Sequence, residues 1–280
     1  MKILATGDFH GSIPKNLNKI IEKNKIDIII SPGDFSGGAF GEKLLRYEEE
    51  ICRKYGVIRS QWPKEIKRVA DKKYEKWNRK AILNSEKVLK YFKKMNMPFY
   101  FVHGNWDFLK RERKEFTNKK LGLDEIKIKN FFFIHNKTVK INGYTLLGFG
   151  GYRPSSLKEY LVNEFPQPRP TIKRILKLKS KLAKKVKGLF RDRKNIIFIT
   201  HDPPYKTRLD YLKNEKEHIG EIINRKVIEK YQPLICVCGH MHDNQGIDKI
   251  GKTILLNPGY GKFGESAIIS LPELKIKLIK

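Results

Sequence analysis

The sequence is short of cysteine, of acidic residues and of long apolar runs, and each shortage excludes a class of protein. Its three cysteines, Cys52, Cys236 and Cys238, are too few and too unevenly spaced for a disulfide scaffold. Cys236 and Cys238 alternate with apolar residues and form no CxxC knuckle, so all three are expected to be reduced core thiols. Nowhere do roughly 18 uncharged apolar residues follow one another, and "MKILATGDFH" lacks the charged and then apolar regions of a secretory leader. A soluble, cytoplasmic protein is therefore expected. No internal repeat, low-complexity tract or flexible linker divides the chain, so residues 1–280 are expected to form one domain.

Acidic residues number 30 against 59 Lys and Arg, a formal net charge of +29. Such a field attracts polyanions or an anionic membrane surface. The same abundance of Lys, Glu and Ile with little Gln is also the usage of heat-adapted proteins, where lysine serves solubility and ion pairing.

What is present is a series of short apolar runs that end in Gly, Pro, Asp or His: "KILAT", "IDIIIS", "PFYFV", "NIIFIT" and "PLICVC". Runs of this length, rich in β-branched residues, read as strands covered on both faces, and helical segments between several of them give an α/β class. Asn142-Gly143 between two strand-like runs predicts a hairpin, and residues 252–279 read as further antiparallel strands, so the sheets are mixed. Between Asp34 and Phe99 a charged, helical stretch predicts an insertion over about residues 38–95, with Pro63 opening a helix that runs to about Met95. Over about residues 171–194 apolar positions such as Ala183, Val186, Leu189 and Phe190 keep helical spacing, and the opposite face is almost purely basic.

Five of the runs deliver metal-ligand side chains where they end: Asp8 and His10 in "GDFH", Asp34 in "PGDF", Asn105 in "HGNWD", His201 in "THDPP", and His240 and His242 in "GHMH". In an open α/β sheet the carboxyl ends of the strands line one crevice, so ligands distant in sequence can meet there. Residues two apart in an extended segment project to one side, which suits Asp8 with His10 and His240 with His242. The two oxygens of Asp34 allow it to bridge two cations. Two divalent ions bring four positive charges, and Asp8 and Asp34 cancel two of them. Asn105 cancels none, so the centre stays attractive to phosphate.

These motifs, in this order, resemble those of the calcineurin-like metallophosphoesterases, and the stretch from His218 to Gly259 resembles their Icc-related branch. The resemblance covers residues 1 to about 37, 96–107 and 195–261. It implies a four-layer α/β/β/α sandwich of two mixed sheets flanked by helices, and a dinuclear centre of manganese, iron or zinc. By the same resemblance Asp8, His10, Asp34 and His242 would hold one ion and Asp34, Asn105, His201 and His240 the other. A metal-bridging hydroxide would then attack a phosphodiester or phosphomonoester.

Many relatives follow the Asn with a His, and this chain has Trp106 there. An indole donates a hydrogen bond but cannot act as a general acid at ordinary pH. Trp106 is expected to wall the substrate pocket, His103 is a candidate substitute donor beside it, and Asp107 is expected to fix the loop as an acceptor. His135 reads as a satisfied strand-end residue, and His218 is expected to order a helix start. Three functions remain in view: a phosphoesterase on small esters, a nuclease or nucleic-acid-associated phosphodiesterase using the basic surface, and a noncatalytic scaffold. The complete ligand set disfavours the last. The sequence does not indicate an oligomeric state.

Overall fold

The structure is a computed structural model that describes residues 1–37, 39–56, 62–107, 129–151, 180, 183–191, 193–213 and 216–280. Two six-stranded sheets face one another. In the first, β1 (Lys2–Ala5), β2 (Ile28–Ser31), β3 (Phe99–Phe101) and β4 (Phe131–Phe133) run parallel in that order. On its other side β13 (Ser266–Ser270) pairs antiparallel with β1, and β14 (Lys275–Ile279) antiparallel with β13.

The second sheet has the order β11, β12, β10, β7, β6, β5. Its parallel centre is β6 (Tyr144–Phe149), β7 (Ile196–Thr200), β10 (Ile235–Val237) and β12 (Thr253–Asn257). β5 (Lys137–Ile141) and β11 (Gly246–Ile250) close the edges antiparallel. The hairpin between β5 and β6 turns at Asn142-Gly143, both at positive φ, as the dipeptide predicts. The tail is more varied than expected, because β12 is antiparallel to β11 but parallel to β10.

Three hydrophobic clusters define four layers. Ile3, Ala5, Ile30 and Val102 from the first sheet meet Leu146, Ile197, Ile199, Val237 and Leu256 from the second in the central cluster. The outer face of the first sheet, with Leu4, Ile29, Phe99 and Phe101, is covered by α1 (Leu17–Asn24) and by Val88, Leu89 and Phe92 of α3 (Lys64–Lys94). The outer face of the second, with Phe149, Phe198, Cys236 and Cys238, is covered by α4 (residues 183–190) and α5 (Ile222–Tyr231). The alternation of the strands explains the partition: Ile3 and Ala5 face the centre while Leu4 faces out. The α/β/β/α sandwich is thus formed.

Between β2 and β3 lie α2 (Ala39–Tyr55) and α3, the latter opened by Pro63 as its N-cap and ended at Met95. The two helices meet through Ile51, Trp62 and Ala70. The last turns of α3 pack into the sandwich through Val88, Leu89 and Phe92. The basic segment at 171–194 lies largely outside the described residues. Its final part, α4, buries Val186 and Phe190, with Phe190 against Phe198 and Tyr231, and exposes Lys184, Lys185 and Lys187. All three cysteines are free thiols, and burial pushes those of Cys236 and Cys238 up. Among the described residues no helix is long and apolar enough to cross a membrane.

Candidate metal centre

The seven sequence-predicted donors all follow strand ends on one edge of the sandwich: Asp8 and His10 after β1, Asp34 after β2, Asn105 after β3, His201 after β7, and His240 and His242 after β10. Four of them, Asp8, His10, Asp34 and His240, have φ between 45° and 71°. That left-handed region is costly for a residue with a Cβ, and strain of this kind persists where surrounding bonds fix it and concentrates at functional sites. Here the loops after β1 and β2 brace each other: Asp8 N–H donates to the Gly33 carbonyl at 2.8 Å and His10 N–H to that of Asp34 at 3.0 Å. At Gly104 a Cβ would overlap the Asp34 carboxylate and crowd the His201 ring, so only glycine lets the loop after β3 pass this close to the donors.

Donor atoms converge in two groups. In the first, the ligand atoms of Asp8, His10, Asp34 and His242 lie within 4.8 Å of one another, and in the second so do those of His201, Asp202 and His240. Within the first, His10 Nε2 is 2.9 Å from His242 Nε2, and His242 Nε2 is 3.6 Å from Asp8 Oδ1. Asn105 Oδ1 joins the second, 2.9 Å from His201 Nε2 and 3.1 Å from His240 Nδ1. Asp34 Oδ2 stands between them, 3.7 Å from His10 Nε2 and 3.5 Å from His201 Nε2. Asp202 is a further carboxylate near the second group that sequence reasoning did not single out; its signal was its place directly after His201 in "HDPP".

These separations fit divalent cations. Donors about 2.0–2.2 Å from an ion in tetrahedral or octahedral geometry stand roughly 3.0–3.5 Å from one another. The tautomer of His201 makes the same point. Its Nδ1–H donates to the Pro32 carbonyl at 3.1 Å, which leaves a lone pair on Nε2 aimed at the Asn105 Oδ1 acceptor. Two lone pairs that close are stable together when a cation lies between them.

Burial lowers His10 and His240 to about 4 and His201 well below its ordinary value, so these imidazoles are neutral at pH 7, the form that binds metal. Burial, then Asp107 and Asp8, push the Asp34 carboxyl well up. Burial also pushes Asp8 up, but its hydrogen bond to His242 and the nearby His201 outweigh that and hold it below the usual range.

Asp107 fixes the loop as expected. One oxygen accepts the N–H groups of Asp34 and Gly104 at 2.8 and 2.9 Å, and the other those of Phe35 and Ser36 at 2.8 and 3.2 Å. Burial raises it to about 6 against those hydrogen bonds. Trp106 N–H donates to Asp34 Oδ1 at 2.9 Å, the Ser36 hydroxyl donates to the Trp106 carbonyl, and the indole stands edge-on to His10 with centroids 6.4 Å apart. His103 lies outside both donor groups. Its Nδ1 is 3.2 Å from the Gly104 carbonyl, and its ring packs 4.5 Å from that of His135.

His135 itself accepts the Gly150 N–H at 3.0 Å, in keeping with a strand-end role. His218 departs from expectation. It belongs to the hairpin of β8 (Tyr211–Leu212) and β9 (Glu217–His218) and binds Asp210 at 2.8 Å, whereas Glu221 caps α5 through the Ile223 N–H. The imidazole's partner is thus the buried Asp210 carboxylate rather than the helix terminus.

The family model of the calcineurin-like phosphoesterases matches residues 1–244. An uncharacterized protein of Methanocaldococcus jannaschii is 36% identical over 128 residues, 45% of this chain and 52% of that protein, so the match spans about half the length of this curated relative. One crystal structure aligns with all of this chain and 98% of its own at 21% identity and a TM-score of 0.63. A dimetal phosphatase from Danio rerio aligns with 99% of this chain and 95% of its own at 9% identity and a TM-score of 0.50. Both are likenesses of fold. With the family model spanning so much of the sequence, the chain belongs to the calcineurin-like phosphoesterases.

Proposed function

We propose that the protein is a dinuclear-metal hydrolase of phosphate esters, with residues 1–280 acting as one metallophosphoesterase domain. Asp8, His10, Asp34 and His242 would hold one divalent ion, and Asp34, Asn105, His201 and His240 the other. The observation that carries this reading is the position of Asp34 Oδ2, 3.7 Å from a histidine of one group and 3.5 Å from a histidine of the other. Manganese, iron or zinc all suit such a His, Asp and Asn set. Bound there, the ions would supply Lewis acidity toward phosphoryl oxygens and lower the pKa of water to about 7 in favourable cases.

The chain's own residues do the rest. Asp8 and Asp34 carry only part of the charge needed to neutralise two divalent ions, and Asn105 adds a donor without adding charge, so the crevice keeps its attraction for a phosphate anion. Trp106 closes the side next to His10 and itself offers no acidic proton to a leaving group. Esters of acidic alcohols and phenols are then the favoured substrates.

The test is hydrolysis of p-nitrophenyl phosphate and bis-p-nitrophenyl phosphate by chelator-treated protein resupplied with manganese, iron or zinc. Turnover that appears only with metal supports the reading, and turnover indifferent to metal contradicts it. A second reading, in which the substrate belongs to a nucleic acid, rests on the exposed Lys184, Lys185 and Lys187 of α4 opposite its buried face. Salt-dependent binding of single strands would favour it.

A further inference from the structure

The three histidines of the second sheet reach the centre from loops other than the two that Asp107 joins. His201 follows β7, and His240 and His242 follow β10. Behind these loops stand two buried asparagines, Asn224 on α5 and Asn257 at the end of β12, each only 1% exposed.

A single residue separates His240 from His242, and an extended chain would send both rings to one side. Instead His240 stands at φ 71°, its Nδ1 meets Asn105 in the second donor group, and His242 Nε2 meets His10 in the first. The Met241 carbonyl belongs to the backbone that joins the two histidines, so its direction helps to set where each ring goes. Asn257 Nδ2 donates to that carbonyl at 2.8 Å and Asn244 N–H at 3.1 Å, while Asn257 Oδ1 accepts the Gly259 N–H at 2.9 Å. Both ends of the Asn257 amide are thus engaged, one of them on the link between the two ligands.

Asn224 grips the loop of His201 in a comparable way. Its Nδ2 donates to Thr200 Oγ1 at 2.9 Å and to the Asp202 carbonyl at 3.0 Å, so it holds the residues on either side of the ligand. Its Oδ1 is buried without a hydrogen-bond partner among the described residues. An unpaired buried acceptor costs stability, and an apolar residue beside Ile223, Val227 and Ile228 would avoid that cost. Packing of α5 therefore does not account for an amide here, whereas the two bonds that flank His201 do.

We infer that Asn257 and Asn224 are positioning residues for the metal centre. Asn257 sets the divergence of His240 and His242 and so serves both ions, and Asn224 sets His201 and so serves one. Each acts on the backbone beside a ligand rather than on the ligand's ring. The inference rests on the two-ion reading and assigns to it the residues that hold its second-sheet half.

The experiment is a calorimetric titration of chelator-stripped protein with manganese, which shows two binding steps in the wild type. Asn257→Leu weakens both steps about 10- to 100-fold, and Asn224→Leu weakens one step by that amount and leaves the other unchanged. Where leucine prevents folding, Asn257→Thr and Asn224→Ser, whose hydroxyls are one bond too short to make the same contacts, give the same pattern. Leu255→Ala opens a cavity on the same strand and measures destabilisation alone: its denaturation midpoint falls while both manganese steps stay as in the wild type. Unchanged steps in the variants of either asparagine overturn that residue's role, and an equal weakening in Leu255→Ala overturns both roles. A wild type that takes up fewer than two manganese ions overturns the two-ion reading and the positioning roles with it.

Discussion

The strand-end crevice and the helical pair α2 and α3 lie side by side in sequence and are built on opposite terms. In the crevice, buried charged and polar side chains sit on loops bent into left-handed conformations and braced by four N–H bonds to Asp107. Between the helices, a small apolar cluster of Ile51, Trp62 and Ala70 does the holding, and most of the described side chains of α2 and α3 face solvent. A buried polar network is intolerant because every group depends on its partners, whereas an apolar contact of this size loses stability in proportion to what is removed. The candidate donors therefore lie in the region where every group depends on its partners, while the Ile51, Trp62 and Ala70 contact stands apart from them.

Substitutions can break or sharpen that contrast. The largest effect is expected for Asp34→Ala, which removes the one carboxylate shared by both donor groups and should leave no measurable hydrolysis at any metal concentration. Retained turnover would place the shared ligand elsewhere. Asp107→Asn comes next. It touches no ligand atom but replaces one oxygen that accepts two backbone N–H groups, so metal affinity or turnover should fall about 10- to 100-fold, as supporting residues of metal sites commonly do. A metal titration followed by activity measures it.

Trp106→His should act in the other direction and selectively. General acid catalysis contributes about 10²–10⁴-fold where the leaving group is poor, so turnover of an alkyl phosphate ester should rise more than that of a nitrophenyl ester. An equal effect on both would mean that the indole's role is purely steric. The smallest effect on the crevice is expected from Trp62→Ala. Emptying this buried site should cost about 3–5 kcal/mol of stability, read as an earlier transition in chemical denaturation, while metal affinity at low temperature stays unchanged. A loss of metal binding in that variant would show the two regions to be coupled.

Much of this was legible in the sequence, for physical reasons that differ by residue. The donors could be read because each ends an apolar run, and strand ends in such folds share an edge. Pro63 and Asn142-Gly143 could be read because each restricts its own backbone. Asp202 was passed over because a carboxylate next to a histidine looks like a loop residue until the chain's path turns it toward the donors. The four N–H bonds to Asp107 were invisible in number, since acceptors reach groups more than seventy residues away. The double role of α3 was hidden for a similar reason. Val88, Leu89 and Phe92 look like any apolar helical stripe, and only the sheet they cover makes them part of the sandwich. The partner of His218 was likewise set by a tertiary contact, to Asp210, that local pattern does not reveal.

The most direct test of the central claim is a count of bound metal. Protein stripped with chelator, reloaded with manganese and freed of excess should carry two ions per chain by elemental analysis, and Asp34→Ala at most one under the same treatment. A single ion in the wild type, or two in Asp34→Ala, would contradict the account of two sites joined by the Asp34 carboxylate.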